Sequence, residues 1–164
     1  SVGLVGSEMC IRDSFPGDWQ TIYRNIKTFD AWAQNKHNVD CSFGMTVMSL
    51  NYLDFPLTVQ KLEQEFPNWS FDVYILNQPK QLLVPGLTNE QLQLGLERME
   101  KVYPTLKQST QNKLAHSLKY YRDVVKTGTN EKTRQRLKDY VQYIDNARNI
   151  NIKNYIPELQ INTE

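Results

Sequence analysis

Few residues in this chain have types and spacing that could do chemistry. The two cysteines, Cys10 and Cys41, and the two histidines, His37 and His116, are scattered. A structural zinc site needs four closely placed Cys or His ligands, and an iron–sulfur cluster needs three or four cysteines. No metal signature stands in the sequence. Cys41 reads as a small buried apolar residue within a strand, and both histidines read as surface residues. No Gly-x-Gly-x-x-Gly, phosphate-binding loop or Gly-x-Ser-x-Gly occurs. Asp123, Glu131, Asp139 and Asp145 fall among Lys and Arg, as solvated helix faces with i,i+4 pairs do, so no catalytic residue is assigned. Thr46, Ser49 and Asn51 differ. They are polar groups at the carboxyl end of a dense apolar run, where ligand contacts are expected. The competing reading is that they bond nearby backbone.

That run, residues 39–53, is what the other elements must be arranged around. Its first half has the β-branched and aromatic content of a strand buried on both faces. Asn51 to Pro56 breaks it. A helical stripe of Leu57, Val59, Leu62 and Phe66 follows, then a second strand-like run, Phe71-Asp-Val-Tyr-Ile-Leu76. Strand, loop, helix, strand is the order of a parallel βαβ unit. Ligands of such units bind beyond the carboxyl ends of the strands. Here that places Thr46 to Asn51 and Asn77 to Lys80 on one rim.

Before the first strand, Asp18 reads as the N-cap of a helix whose apolar face is Trp19, Ile22, Ile26, Phe29 and Trp32 or Ala33. After the second, residues 81–84 read as a short edge strand ended by Pro85-Gly86. Thr88-Asn-Glu-Gln91 is a capping-box pattern opening a helix to about Val102, where Pro104 stops it. Further helices are expected over about 109–126, ended by Gly128, and about 130–147. The tail, residues 151–159, is apolar enough to pack.

The 164 residues suit one domain. Net charge is +1, from 19 basic and 18 acidic residues, which gives no argument for nucleic acid or an anionic membrane surface. No apolar stretch approaches the roughly 20 residues of a membrane span. Two cysteines are too few for a disulfide framework, so a cytoplasmic location is expected.

Several stretches together carry a family resemblance. They are Gly17-Asp18-Trp19 with Ile22 and Asn25; Met45-Thr-Val-Met-Ser-Leu-Asn51 followed by Asp54-Phe-Pro56; Phe71-Asp-Val-Tyr-Ile-Leu-Asn-Gln-Pro79; and Tyr143-Ile-Asp-Asn-Ala-Arg-Asn149 with Tyr155-Ile-Pro-Glu-Leu159. Their order resembles the C-terminal half of twitch-domain-containing radical S-adenosylmethionine (radical SAM) proteins. The resemblance implies an α/β fold: an incomplete (β/α) barrel fragment with two parallel strands, over residues 15–86, and a C-terminal helical extension, residues 87–164. Residues 1–14 look like a non-native, adapter-derived leader, and the chain is then a C-terminal fragment. The parent would cleave S-adenosylmethionine reductively at a [4Fe–4S] cluster to modify a small-molecule or peptide substrate. The family's Cys-x-x-x-Cys-x-x-Cys loop and Gly-Gly-Glu segment are both missing, so no cofactor is expected on this fragment alone. Arg12 stands too far from Gly17 to be the family's arginine. The resemblance leaves Thr46 and Ser49 to line the ribose or methionine side of the cofactor, and Ile75 to Asn77 to border its adenine. The alternative is a small non-catalytic α-rich module that binds a partner protein through an exposed Tyr- and Leu-rich face.

Overall fold

Among the described residues two short strands pair in parallel, with five helices. The structure is a computed structural model and describes residues 19–149, 151–154 and 156–159. The leader, the expected N-cap at Asp18, Cys10 and Tyr155 lie outside the described residues. In chain order come α1 (Trp19–Ala33), β1 (Ser42–Val47), α2 (Phe55–Glu65), β2 (Ser70–Ile75), 3-10 turns at Lys80–Leu82 and Val84–Gly86, α3 (Asn89–Val102), a 3-10 turn at Tyr103–Thr105, α4 (Gln108–Thr127), α5 (Glu131–Arg148) and a last turn at Ile152–Asn154.

β1 and β2 run parallel, from Ser42 opposite Ser70 to Val47 opposite Ile75, with α2 between them in sequence. The expected βαβ unit is therefore present, as a two-stranded sheet among the described residues. The strands are not buried on both faces. Paired residues of a parallel ladder share a face, and side chains alternate along each strand. Phe43, Met45, Val47, Phe71, Val73 and Ile75 join the core, whereas Ser42, Gly44, Ser70 and Tyr74 are exposed. The apolar density of the sequence reflects this single inner face running on into the buried Leu50, Tyr52 and Leu53.

Three other expectations need correcting. Leu57 is exposed, because the buried stripe of α2 is Phe55, Thr58, Val59 and Leu62, continued by Phe66; steps of three and four from Phe55 leave Leu57 on the opposite side. Residues 81–84 form no strand. Pro79 and Pro85 flank them with fixed φ and no N–H to donate to a ladder, and the chain coils into the two 3-10 turns. On α1, of Ile22, Ile26, Phe29, Trp32 and Ala33 only Ala33 is buried; Phe29 and Trp32 stay about half exposed.

The C-terminal helices follow their local signals. Thr88 Oγ1 accepts from Gln91 N at 3.1 Å and Gln91 Oε1 accepts from Thr88 N at 2.9 Å, the reciprocal pair of a capping box. Asn130 Oδ1 caps α5 by accepting from Thr133 N at 2.9 Å. Gly128 ends α4 at φ +77°, a region that favours glycine. The segment used for the resemblance, Tyr143 to Asn149, closes α5 with Asn149 in the left-handed conformation, and Asp145 Oδ1 accepts from Ile152 N at 3.0 Å. Asp145 thus holds a turn and is not simply a solvated charge.

One apolar core runs from Val47 to Leu159. The tail packs as expected, with Ile152, Ile156 and Leu159 buried. Arg98 ties it down. Its guanidinium donates to both Glu158 carboxylate oxygens, at 2.8 and 2.6 Å, to Leu53 O at 3.2 Å and to Asp54 Oδ1 at 3.4 Å. Burial and the nearby Glu158 push the Asp54 carboxyl above its ordinary range, and Arg98 pulls it back. Replacing Arg98 by methionine keeps the stem and removes these bonds. It should lower stability by about 1.5–3 kcal/mol, the usual contribution of hydrogen bonds to charged groups. Limited proteolysis should then cut the tail before any helix.

Candidate functional site

The carboxyl ends of β1 and β2 form the rim on which the sequence places Thr46, Ser49 and Asn77. Val47 O accepts from Leu76 N at 3.0 Å, the last rung of the ladder. Beyond it Ser49 N donates to Leu82 O at 2.9 Å, so the two exiting segments stay side by side. Asn51 shapes the turn that leaves β1. Its Nδ2 donates to Thr46 O at 2.8 Å and its Oδ1 accepts from Met48 N at 2.9 Å. For Asn51 the backbone-bonding reading is therefore correct.

The three site residues share the rim but not its accessibility. Asn77 is exposed, Thr46 is half-buried, and Ser49 is closed off at 1% exposure. Ser49 Oγ has no hydrogen-bond partner among the described residues. A buried unpaired hydroxyl costs about 1–3 kcal/mol. Ser49→Ala should consequently raise stability, by about 1 kcal/mol; urea denaturation showing a loss of stability would mean that the hydroxyl is satisfied.

Beside the rim the turn after β2 meets α5. Gln78, Lys80 and Gln81 line a cleft of about 540 Å³ with Arg136, Asp139 and Tyr143. The Gln78–Pro79 peptide in its wall is cis. Asp139 Oδ1 accepts from Gln135 Nε2 at 2.8 Å, and Tyr143 is 68% exposed. Sequence reasoning reached Lys80 as part of the rim and missed the α5 residues. A signal was available: Arg136, Asp139, Tyr140 and Tyr143 stand at i, i+3, i+4 and i+7, one helix face.

A second cleft, about 510 Å³, opens at the amino ends of the strands, between the end of α1 and the segment before β2. Cys41 lies in it, half-buried and ahead of β1 rather than within the strand. Burial, then Asp30 and Asp40, push its thiol pKa up, which lowers thiolate content and reactivity. Asp30 is otherwise engaged, accepting from Trp69 Nε1 at 2.7 Å. His37 and His116 are both exposed, as expected.

No group of three or more His, Cys, Asp or Glu side chains placed to hold a metal ion occurs among the described residues. No helix among them is long and apolar enough to cross a membrane. Compared with known protein families, with curated proteins and with solved structures, the chain matches none.

Proposed function

We propose that this chain is the C-terminal part of a radical SAM enzyme and supplies the last two strands of its partial barrel. The observation that supports this reading is the parallel βαβ unit, which brings Thr46, Ser49 and Asn77 to one carboxyl rim. The parent's substrate would be a small molecule or peptide.

The residues present do not fit the iron–sulfur cluster that this chemistry requires. Cys10 and Cys41 are the only cysteines of the sequence, and a cluster site takes three or four. Cluster ligation and the reductive step therefore fall to residues outside this sequence, and no catalytic step is assigned to the chain itself. Its part would be to border the bound S-adenosylmethionine. Reading the coding sequence further upstream tests the proposal. A Cys-x-x-x-Cys-x-x-Cys loop following a strand is expected there; a stop codon or an unrelated domain would overturn it.

A second reading, a non-catalytic interaction module, is favoured by α1. Phe29 and Trp32 stay exposed there as a pair with ring centroids 5.3 Å apart, and Phe29 also meets Trp69 edge-on at 6.1 Å. The same upstream sequence decides between the two.

A further inference from the structure

The cleft between the β2 turn and α5 joins the rim residues Gln78 and Lys80 to Arg136, Asp139 and Tyr143 of α5, which the radical SAM reading does not use. Neither Lys80 nor Arg136 makes an ion pair among the described residues. Both line the cleft, so two positive charges border one concave space. Tyr143 presents most of its ring to water in the same space, and the single carboxylate there belongs to Asp139. Two glutamine amides, Gln78 and Gln81, and Tyr140 also line it. The volume falls within the roughly 300–1,000 Å³ of small-molecule sites.

We propose that this cleft binds a nucleoside phosphate. Each part of such a ligand has a counterpart in the lining. Lys80 and Arg136 suit the phosphate, Arg136 with a planar fork that can donate twice. Tyr143 offers an open ring on which a base can stack, an interaction that every base accepts. Asp139 accepts only, which suits the hydroxyl donors of a ribose. The glutamine amides both donate and accept, and so can meet the edge of a base. Free phosphate would leave the tyrosine without a role, and a neutral aromatic would leave two cations unpaired. The proposal rests on the cleft alone and stands whatever the outcome for the radical SAM reading.

Two-dimensional NMR of the full chain, titrated separately with AMP, adenosine and inorganic phosphate, tests it. AMP should produce saturable shifts confined to residues 78–81 and 136–143, with a Kd of about 0.1 mM for so open a site. Arg136→Gln should weaken AMP about ten-fold, a typical charge-assisted contact. Tyr143→Ala should weaken AMP about ten-fold by removing one stack, and leave the weaker phosphate binding unchanged. Lys80→Gln, at an exposed position, is the substitute should Arg136→Gln disturb the fold. Adenosine binding as tightly as AMP, AMP binding insensitive to Tyr143→Ala, or no saturable shift at about 100-fold the expected Kd would each overturn the assignment.

Discussion

Gly95→Ala should be the most damaging small substitution in this protein. Gly95 lies mid-helix in α3, buried, with the Tyr52 ring directly against its Cα. A Cβ there would overlap ring atoms Cε1, Cδ1 and Cζ of Tyr52. The ring has no room to yield. It stacks on Tyr121 at 4.1 Å between centroids, with planes 14° apart. Its hydroxyl donates to Leu92 O at 3.0 Å, and its own carbonyl accepts from Tyr121 Oη at 2.7 Å. Overpacking typically costs about 1–3 kcal/mol, and losing one of these buried bonds adds about 1 kcal/mol. Against a total stability of about 5–15 kcal/mol, such a loss should lower Tm by about 10 °C. Gly44→Ala is the control, since a Cβ at Gly44 meets nothing within 4 Å. Circular dichroism melts showing Gly95→Ala no less stable than Gly44→Ala would refute this packing. Shrinking Tyr52 to leucine in the Gly95→Ala background should recover part of the loss, because contacting residues couple.

That contact shows where sequence reading stops. Tyr52 and Gly95 are 43 positions apart, and no periodicity in either segment links them. Local signals fared better. The capping box at Thr88 and Gln91, the glycine at 128 and the cap at Asn130 each fix one helix end through bonds within a few residues, and α3, α4 and α5 match them within one or two positions. The parallel pairing of β1 and β2 was legible because an intervening helix forbids a tight hairpin. Which faces would be covered was not legible, since burial depends on partners distant in sequence. Hence Gly44, Leu57, Phe29 and Trp32 ended up exposed. The same holds for the rim: its three polar residues follow the parallel strands to their carboxyl ends, but their exposure runs from the closed-off Ser49 to the open Asn77. The cleft needed the turn at residues 78–81 brought onto α5, and a misread edge strand hid that approach.

Raising the pH should unfold the chain through its buried tyrosines. Tyr52 and Tyr121 are fully buried, and burial holds both phenols protonated well above their ordinary range. Tyr120, less deeply placed, is pushed up to about 12 by burial. In the unfolded chain all three lose their protons near pH 10. Below that pH both states carry the same protons, so these groups contribute no pH dependence. Above it the unfolded chain releases protons that the folded chain retains, and stability falls as pH rises. Tyr52 and Tyr121 together should give a slope of about 3 kcal/mol per pH unit. Tyr120 steepens the fall until about pH 12, where its folded form titrates as well. A stability of about 5–15 kcal/mol is therefore largely lost within a few units above pH 10. Urea midpoints should decline from that point, and phenolate absorbance for the buried tyrosines should rise together with the loss of helical circular dichroism. Tyr121→Phe removes one of the two titrating groups and should reduce the slope by about 1.4 kcal/mol per pH unit, even though the variant starts less stable without its bond to Tyr52 O. Every phenol titrating near pH 10 with helix content intact would place Tyr52 and Tyr121 in water, and would remove the stacked pair from the core described above.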